Sequence, residues 1–123
     1  EWFFAHTSRE KKKKDFFSPK ALEDYLECVK NPETINAICE DYRAAASIDL
    51  IDDKMSRENK IKINIPILVL WGKKGKIGQW YEPLSIWKEY CHKEVTGYGI
   101  DTGHYLAEEN PKEIIKNINN FLT

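Results

Sequence analysis

The hydrophobic pattern changes about halfway along the chain. Before about residue 62, apolar side chains recur at helical spacing in two runs, 22–29 and 35–46. Ser18-Pro19 and Asn31-Pro32 precede these runs, and each pair combines a good N-cap residue with proline at the first helical position. We therefore predict two helices, the second running toward residue 50, followed by a charged connector from Asp52 to Lys62.

The second half alternates between strand and helix patterns. Residues 65–71, IPILVLW, are apolar on both faces and stop at Gly72, which is typical of a strand buried in a parallel sheet. A helical pattern covers Pro83–Tyr90, a short strand pattern covers Val95–Ile100, and Asn110-Pro111 opens a last helix. This order predicts an α/β domain with a parallel sheet, most of which we expect to lie outside this chain.

A histidine stands where such a sheet binds its ligands. In open parallel sheets the ligand lies beyond the carboxyl ends of the strands, and residues 72–79 and 101–109 leave the strands at that edge. His104 follows Gly103 in the second loop, and an imidazole exchanges protons near neutral pH. His104 is therefore a candidate general base. The alternative, a loop histidine bonded to backbone, stays open on position alone.

Composition narrows the classes of protein. With 41% apolar residues and a formal charge of −1, the chain can form a core and has no global attraction to nucleic acid. The lysine run at 11–14 lacks interleaved aromatic residues, so a solvated loop is the simpler interpretation. No apolar run approaches the ~20 residues of a membrane span. We expect partners other than nucleic acid or membrane.

Cysteine, histidine and glycine patterns give no cofactor site. Cys28, Cys39 and Cys91 are odd in number and lack disulfide or zinc spacing, which favours a reducing, cytoplasmic setting. His6 and His92 have no Cys or carboxylate partner at ligand spacing, so we expect no metal. The glycine-rich stretch at 72–78 lacks the arrangement of a phosphate-binding loop and is expected to be a strand-end turn.

The chain lacks a recognisable nucleophile. It contains no GxSxG, and no Ser or Cys stands at a strand-to-helix elbow. The first residues, EWFF, have the character of a buried element and do not begin with Met. We expect this sequence to be the C-terminal part of a longer protein, with the partner of His104 outside it.

Four stretches carry a family resemblance: EDYRAAASIDL (40–50), PILVLWG (66–72), PLSIWKEY (83–90) and GHYLAEENP (103–111). Together they resemble the C-terminal portion of haloacetate (fluoroacetate) dehalogenases with the α/β-hydrolase fold. The resemblance covers most of residues 19–123, and the first and last stretches are its more specific motifs. It implies a helical cap remnant in residues 1–62 and the C-terminal part of the α/β-hydrolase core in residues 63–123.

The resemblance also implies a chemistry. In that family an aspartate displaces halide from the carbon next to a carboxylate, and a histidine then activates water to hydrolyse the resulting ester. The GHY motif assigns that histidine to His104. Trp2 and Tyr42 correspond to the halide-binding Trp and Tyr, whose N–H and O–H groups stabilise departing halide. The implied substrate is a small haloacid, the implied assembly is a homodimer, and no cofactor is required.

The sequence departs from the family pattern in several places. Glu1 replaces the family histidine beside Trp2, and AHTSREKKKK (5–14) stands in place of a longer cap segment. Lys73, Lys74 and Lys76 follow the LWG strand, where many α/β-hydrolases place their acid. That departure favours a family whose acid follows an earlier strand. The nucleophile, the acid and the substrate-binding arginines would lie in the missing N-terminal half of the fold.

Two other functions remain open. An epoxide hydrolase of the same fold shares the aspartyl-ester chemistry but protonates the epoxide with cap tyrosines, and Tyr42 alone does not distinguish the two enzymes. The chain is alternatively a non-catalytic truncated product or an interaction module. We expect the chain by itself to be inactive in either enzymatic case.

Overall fold

The computed structural model describes residues 16–123 and divides the chain into two compact units. One unit is Ser18–Lys62, and the other contains Ile63–Thr123 together with Phe16 and Phe17. The helical half and the alternating half of the hydrophobic pattern thus fold as separate units. The assignment of residues 1–62 to a cap stays a prediction.

The unit Ser18–Lys62 is helical. Its elements are α1 (Pro19–Cys28), α2 (Pro32–Ala45) and α3 (Ile48–Glu58). The first two helices begin where the sequence predicts, because the Ser18 hydroxyl accepts the N–H of Ala21 at 3.1 Å and the Asn31 side chain accepts that of Glu33 at 2.9 Å. Both predicted helix starts are confirmed.

The predicted charged connector after residue 52 is wrong, because α3 covers most of it. Its charges lie four residues apart, and they pair along the helix surface: Asp53 with Arg57 at 3.1 Å and Lys54 with Glu58 at 3.8 Å. These side chains are exposed, so each pair contributes only about 0.3–0.5 kcal/mol. The run of charge is the solvated surface of a helix.

The unit containing Ile63–Thr123 alternates strands and helices. Its elements are β1 (Ile67–Gly72), α4 (Lys76–Trp80), α5 (Pro83–Tyr90), β2 (Val95–Ile100), α6 (Leu106–Glu109) and α7 (Pro111–Leu122). Both predicted strands and the helices α5 and α7 are confirmed. The short helices α4 and α6 lie inside segments predicted only as loops, so each strand-end loop contains about one helical turn.

The two strands pair in parallel, from Ile67 opposite Val95 to Gly72 opposite Ile100. Gly97 makes this pairing close: its φ is +141°, and a Cβ there would lie 1.8 Å from the carbonyl oxygen of Val69. No third strand joins the sheet within residues 16–123. The register brings the carboxyl ends of β1 and β2 level with one another.

Burial concentrates at that end of the strands. Gly72 at the end of β1 and Gly99, Ile100, Thr102 and Gly103 at and just after the end of β2 are all buried. The other buried residues are Phe17, Pro83, Cys91, Val95 and Asn117. Along β1, by contrast, residues 67–71 are only half-buried, so parallel pairing is confirmed but full coverage of the strand is not observed. The backbone around the end of β2 is the most enclosed part of this unit.

The last helix differs from its sequence pattern in its buried face. Apolar residues recur at positions 114, 115, 118, 121 and 122, which predicts an apolar core face. Yet the one buried residue of α7 is Asn117, while Ile115 and Leu122 are exposed. The Tyr98 hydroxyl on β2 lies within hydrogen-bond distance of the Asn117 side-chain oxygen and of the Glu113 carboxylate, and its one proton can be donated to either. The contact between sheet and helix is therefore partly polar. None of the helices described here is both long and apolar enough to cross a membrane.

Candidate functional site

His104 lies on the loop that leaves the carboxyl end of β2. Its side chain is exposed, whereas its neighbours Thr102 and Gly103 are buried. The loop therefore holds its backbone inside the unit and presents the imidazole outward. This is the edge of the sheet at which the sequence predicts the chemistry.

Hydrogen bonds join this loop to the loop that follows β1. The Lys73 N–H donates to the carbonyl of Ile100 at 2.8 Å, and the Lys74 N–H donates to that of Thr102 at 3.0 Å. The Lys74 ammonium also pairs with the Asp101 carboxylate at 2.8 Å, although both side chains are about half exposed. The two strand-end loops thus support each other chiefly through their backbones.

Close packing of backbone fixes the position just before His104. A Cβ on Gly72 would lie 1.7 Å from the carbonyl oxygen of Gly103, so only glycine leaves room for that carbonyl. Thr102, fully buried, donates its N–H to the Ile100 carbonyl at 2.7 Å, which closes a tight turn. The carbonyl side of the His104 loop therefore rests directly on the end of β1.

The Glu109 carboxylate holds the amide side of the same loop. Its Oε2 accepts the N–H of Gly103 at 2.8 Å, and its Oε1 accepts the N–H of Tyr105 at 3.2 Å. The Glu109 N–H in turn donates to the Tyr105 carbonyl at 2.8 Å, which closes α6. Both residues that flank His104 are thus bonded to one part-buried side chain.

The ring of Tyr105 anchors the far end of the loop. It packs edge-on against Phe17 with ring centroids 5.2 Å apart and is stacked with Phe16 at 6.1 Å. The His104 imidazole lies edge-on to Tyr105 at 5.1 Å. These aromatic contacts restrict where the imidazole can turn.

The other predicted site residues lie apart from this loop in the chain. Tyr42 is on α2, in the unit Ser18–Lys62, with 69% of its surface exposed. Trp2 lies outside the described residues. The roles of His104, Tyr42 and Trp2 stay predictions.

Sequence reasoning missed Glu109 and Gly72 as neighbours of the histidine. For Glu109 a signal was present, since an acid four residues after Tyr105 lies one helical turn away. For Gly72 the sequence indicates only a strand end. Its contact with Gly103 follows from the pairing of β1 with β2.

Other features of this unit do not form a site for the histidine. A cleft of about 500 Å³ lies against α7, and its lining includes Pro66, just before β1, and Leu68 and Thr96, near the amino ends of the strands. It is therefore at the opposite edge of the sheet from His104. Within residues 16–123, no group of three His, Cys, Asp or Glu side chains could hold a metal ion.

The chain is similar to known α/β-hydrolases. It is 26% identical over 109 residues to a fluoroacetate dehalogenase from Burkholderia sp, a match that covers 89% of this chain and 35% of that protein. No protein-family profile matches the chain.

Solved structures show the same relationship. A structure assigned as an α/β-hydrolase from Nostoc sp PCC 7120 is 47% identical, with a TM-score of 0.84 over 91% of this chain and 38% of that one. A structure assigned as an epoxide hydrolase from Pseudomonas aeruginosa is 33% identical, with a TM-score of 0.80 over 89% of this chain and 36% of that one.

These matches cover only part of each matched protein. The chain spans little more than a third of the length of each of these proteins. Its helical unit and its parallel strands with their helices correspond to one portion of their fold. The predicted fold class and the predicted resemblance are confirmed: the chain has the architecture of a portion of the α/β-hydrolase fold and is similar in sequence to a fluoroacetate dehalogenase.

Proposed function

We propose that this chain supplies the water-activating histidine, His104, of a hydrolase that cleaves the carbon–halogen bond of small 2-haloacids. The observation that carries the proposal is an exposed imidazole on a loop whose backbone is bonded on both sides, at the carboxyl edge of parallel strands. The likeness to a fluoroacetate dehalogenase supports the substrate class.

The proposed reaction has two steps. First, an aspartate carboxylate outside this chain attacks the carbon that bears the halogen; an O–C bond forms, the C–halogen bond breaks, and halide leaves. Second, His104 takes a proton from water, the hydroxide attacks the ester carbonyl, and the bond from the carbonyl carbon to the substrate oxygen breaks. The leaving alkoxide takes the proton back from His104 as the 2-hydroxy acid departs, and the aspartic acid loses its proton to become the carboxylate again. Trp2 and Tyr42 would donate hydrogen bonds to the departing halide, with Glu1 in place of the family histidine.

In this proposal the aspartate comes from the part of the relatives' fold that this chain does not cover. The only sheet in residues 16–123 has two strands, whereas the chain covers about a third of its relatives. The partner in this proposal is therefore a nucleophile-bearing half whose sheet continues the parallel pair. A homodimer remains the expected assembly of the complete enzyme.

The test is His104→Asn in the longer polypeptide encoded when the reading frame is extended upstream of Glu1. The variant should release about one halide per active site and then stall as an aspartyl ester, because asparagine cannot take the water's proton. Steady turnover of fluoroacetate should fall by ~10²–10⁴. Mass spectrometry of the intact protein would detect the ester as added mass.

His92→Asn is the matched control, since His92 is also an exposed histidine of the same unit and its backbone bonds to Ile63. It should turn over normally. Unchanged turnover in His104→Asn, or no aspartate elbow encoded upstream, would refute the proposal. A folded His104→Asn variant without adduct would place the histidine in the first step instead.

Epoxide hydrolysis is the second candidate, favoured by the 33% identity to the structure assigned as an epoxide hydrolase. It uses the same ester chemistry, so His104 would keep its role and only the first step would change. Halide release from fluoroacetate and diol formation from a small epoxide, measured on the same preparation, separate the two. A preparation that catalyses neither supports a non-catalytic interaction module.

A further inference from the structure

We infer that Glu109 is a positioning residue that fixes the point from which the His104 imidazole projects, by holding the backbone on both sides of it. The two carboxylate oxygens accept the N–H groups of Gly103 and Tyr105, at 2.8 Å and 3.2 Å. These are the two residues between which His104 stands. One side chain therefore restrains the backbone on both sides of the residue that carries the imidazole.

A carboxylate suits this contact better than an amide does. An ionised carboxylate has two acceptor oxygens and no donor, so it satisfies two N–H groups at once, whereas a glutamine amide has one acceptor and one donor group. Hydrogen bonds to a charged acceptor are stronger than neutral ones, and these two are part-buried. In Glu109→Gln, the amide oxygen could accept one of the two backbone N–H groups, while the amide NH₂ group would face the other N–H, donor against donor.

A second contact restrains the same peptide from its other side. The Gly103 carbonyl rests against Gly72 while the Gly103 N–H is held by Glu109. The peptide before His104 is thus fixed from the side of β1 and from the side of α6. Tyr105 also packs on Phe16 and Phe17, so contacts restrain the backbone on both sides of His104.

A fixed starting point for the side chain matters for a base that must meet a particular water. Misplacing a catalytic group by about 1 Å can cost on the order of 10²-fold in rate. This consequence for catalysis rests on the proposed function. The positioning itself is a property of this chain and can be measured without substrate.

The first experiment is NMR spectroscopy, on the unaltered chain and then on Glu109→Gln. Couplings transmitted through hydrogen bonds should connect the amide nitrogens of Gly103 and Tyr105 to the Glu109 carboxylate carbon. In Glu109→Gln, amide exchange at these two residues should quicken by about tenfold or more, because a charged bond is lost. The His104 ring signals should shift toward those of a mobile side chain.

Glu108→Gln is the matched control, because it removes the same charge from the adjacent position of α6 and leaves both bonds to Glu109 in place. It should change neither exchange rate nor the His104 ring signals. Absence of both couplings in the unaltered chain, or equal effects of the two variants, would overturn the inference.

The second experiment reads the consequence in the complete hydrolase. Glu109→Gln should lower kcat by about 10-fold to 10²-fold and lower KM with it, since slower hydrolysis lets the aspartyl ester accumulate while kcat/KM still reports the first step. Restored kcat in Glu109→Asp would identify the carboxylate as the active feature. If the couplings are observed but Glu109→Gln leaves kcat unchanged, the positioning by Glu109 stands and its proposed effect on catalysis is wrong.

Discussion

At the scale of single residues, the surroundings of His104 are made by backbone groups more than by side chains. Gly72 contributes only the absence of a Cβ, and Lys73 and Lys74 contribute their amide N–H groups. Glu109 is the exception, because its side chain holds the peptide that precedes the histidine. The backbone that carries an exposed imidazole can therefore be held in place without a side chain bonded to the ring.

We predict that Gly72→Ala disturbs the His104 loop. The added Cβ would lie 1.7 Å from the Gly103 carbonyl oxygen, which forces a backbone shift and should lower the free energy of unfolding by about 1–3 kcal/mol. Urea unfolding measures the change. The amide signals of Gly103 and Tyr105 would report the movement of the loop.

The control for this prediction is Gly75→Ala. A Cβ there meets the Gly72 carbonyl oxygen at 3.2 Å and that of Gly103 at 3.3 Å, so small shifts suffice. The change in unfolding free energy should stay below about 1 kcal/mol, since alanine also reduces the entropy of the unfolded chain. Equal losses in both variants would contradict a specific contact between Gly72 and Gly103.

At the scale of elements, helix ends decide much of the local structure. Three helices begin with an Asx or Ser cap followed by proline, and all three were predictable from those pairs. The end of α3 is different. Lys60 has a φ of +56° and bonds to the Arg57 carbonyl, while Ile61 bonds to the Ser56 carbonyl at 2.8 Å. This is a Schellman motif with lysine at the position that glycine usually occupies.

Lys60→Gly should therefore stabilise the unit Ser18–Lys62. A left-handed conformation costs an ordinary residue roughly 1–2 kcal/mol, and glycine avoids this cost but loses more chain entropy on folding. We expect a net gain of about 1 kcal/mol, measured by urea unfolding followed through helical circular dichroism. Lys60→Ala, which keeps the Cβ, should bring no gain; stabilisation by alanine equal to that by glycine would contradict the explanation.

At the scale of the whole molecule, the described residues expose many large apolar side chains. Examples from the unit containing Ile63–Thr123 are Ile65, Ile77, Trp80, Ile115 and Leu122, each about half exposed or more. A parallel strand is normally covered on both faces, yet β1 is half-buried. Together with the coverage of about a third of its relatives, this is the surface expected of a portion of a larger hydrophobic core.

We predict that the purified chain by itself does not hydrolyse haloacetates. Within residues 16–123 no carboxylate stands at a strand-to-helix elbow facing His104, and Asp101 is paired with Lys74 and too near in sequence to attack across a substrate. Ion chromatography of fluoride or chloride after prolonged incubation measures the result. Halide release by this chain that disappears in His104→Ala would overturn the prediction.

The local elements of this protein could be predicted because their causes are local. Caps at Ser18 and Asn31, prolines at the first helical position and the apolar run that ends at Gly72 act through neighbours in the chain. The sequence alone was misleading between residues 52 and 62. The charges there stabilise α3 only after helical geometry has brought positions four apart together.

His104 itself was also accessible from the sequence, because its place after β2 and beside Gly103 fixes the edge of the sheet at which it lies. What holds it was decided by tertiary structure. Gly72 and Gly103 are 31 positions apart in the chain, and they meet only because β1 and β2 pair in a particular register. Glu109 is a local partner, four residues after Tyr105, and its spacing is visible in the sequence, but its two bonds form only once α6 has made its turn.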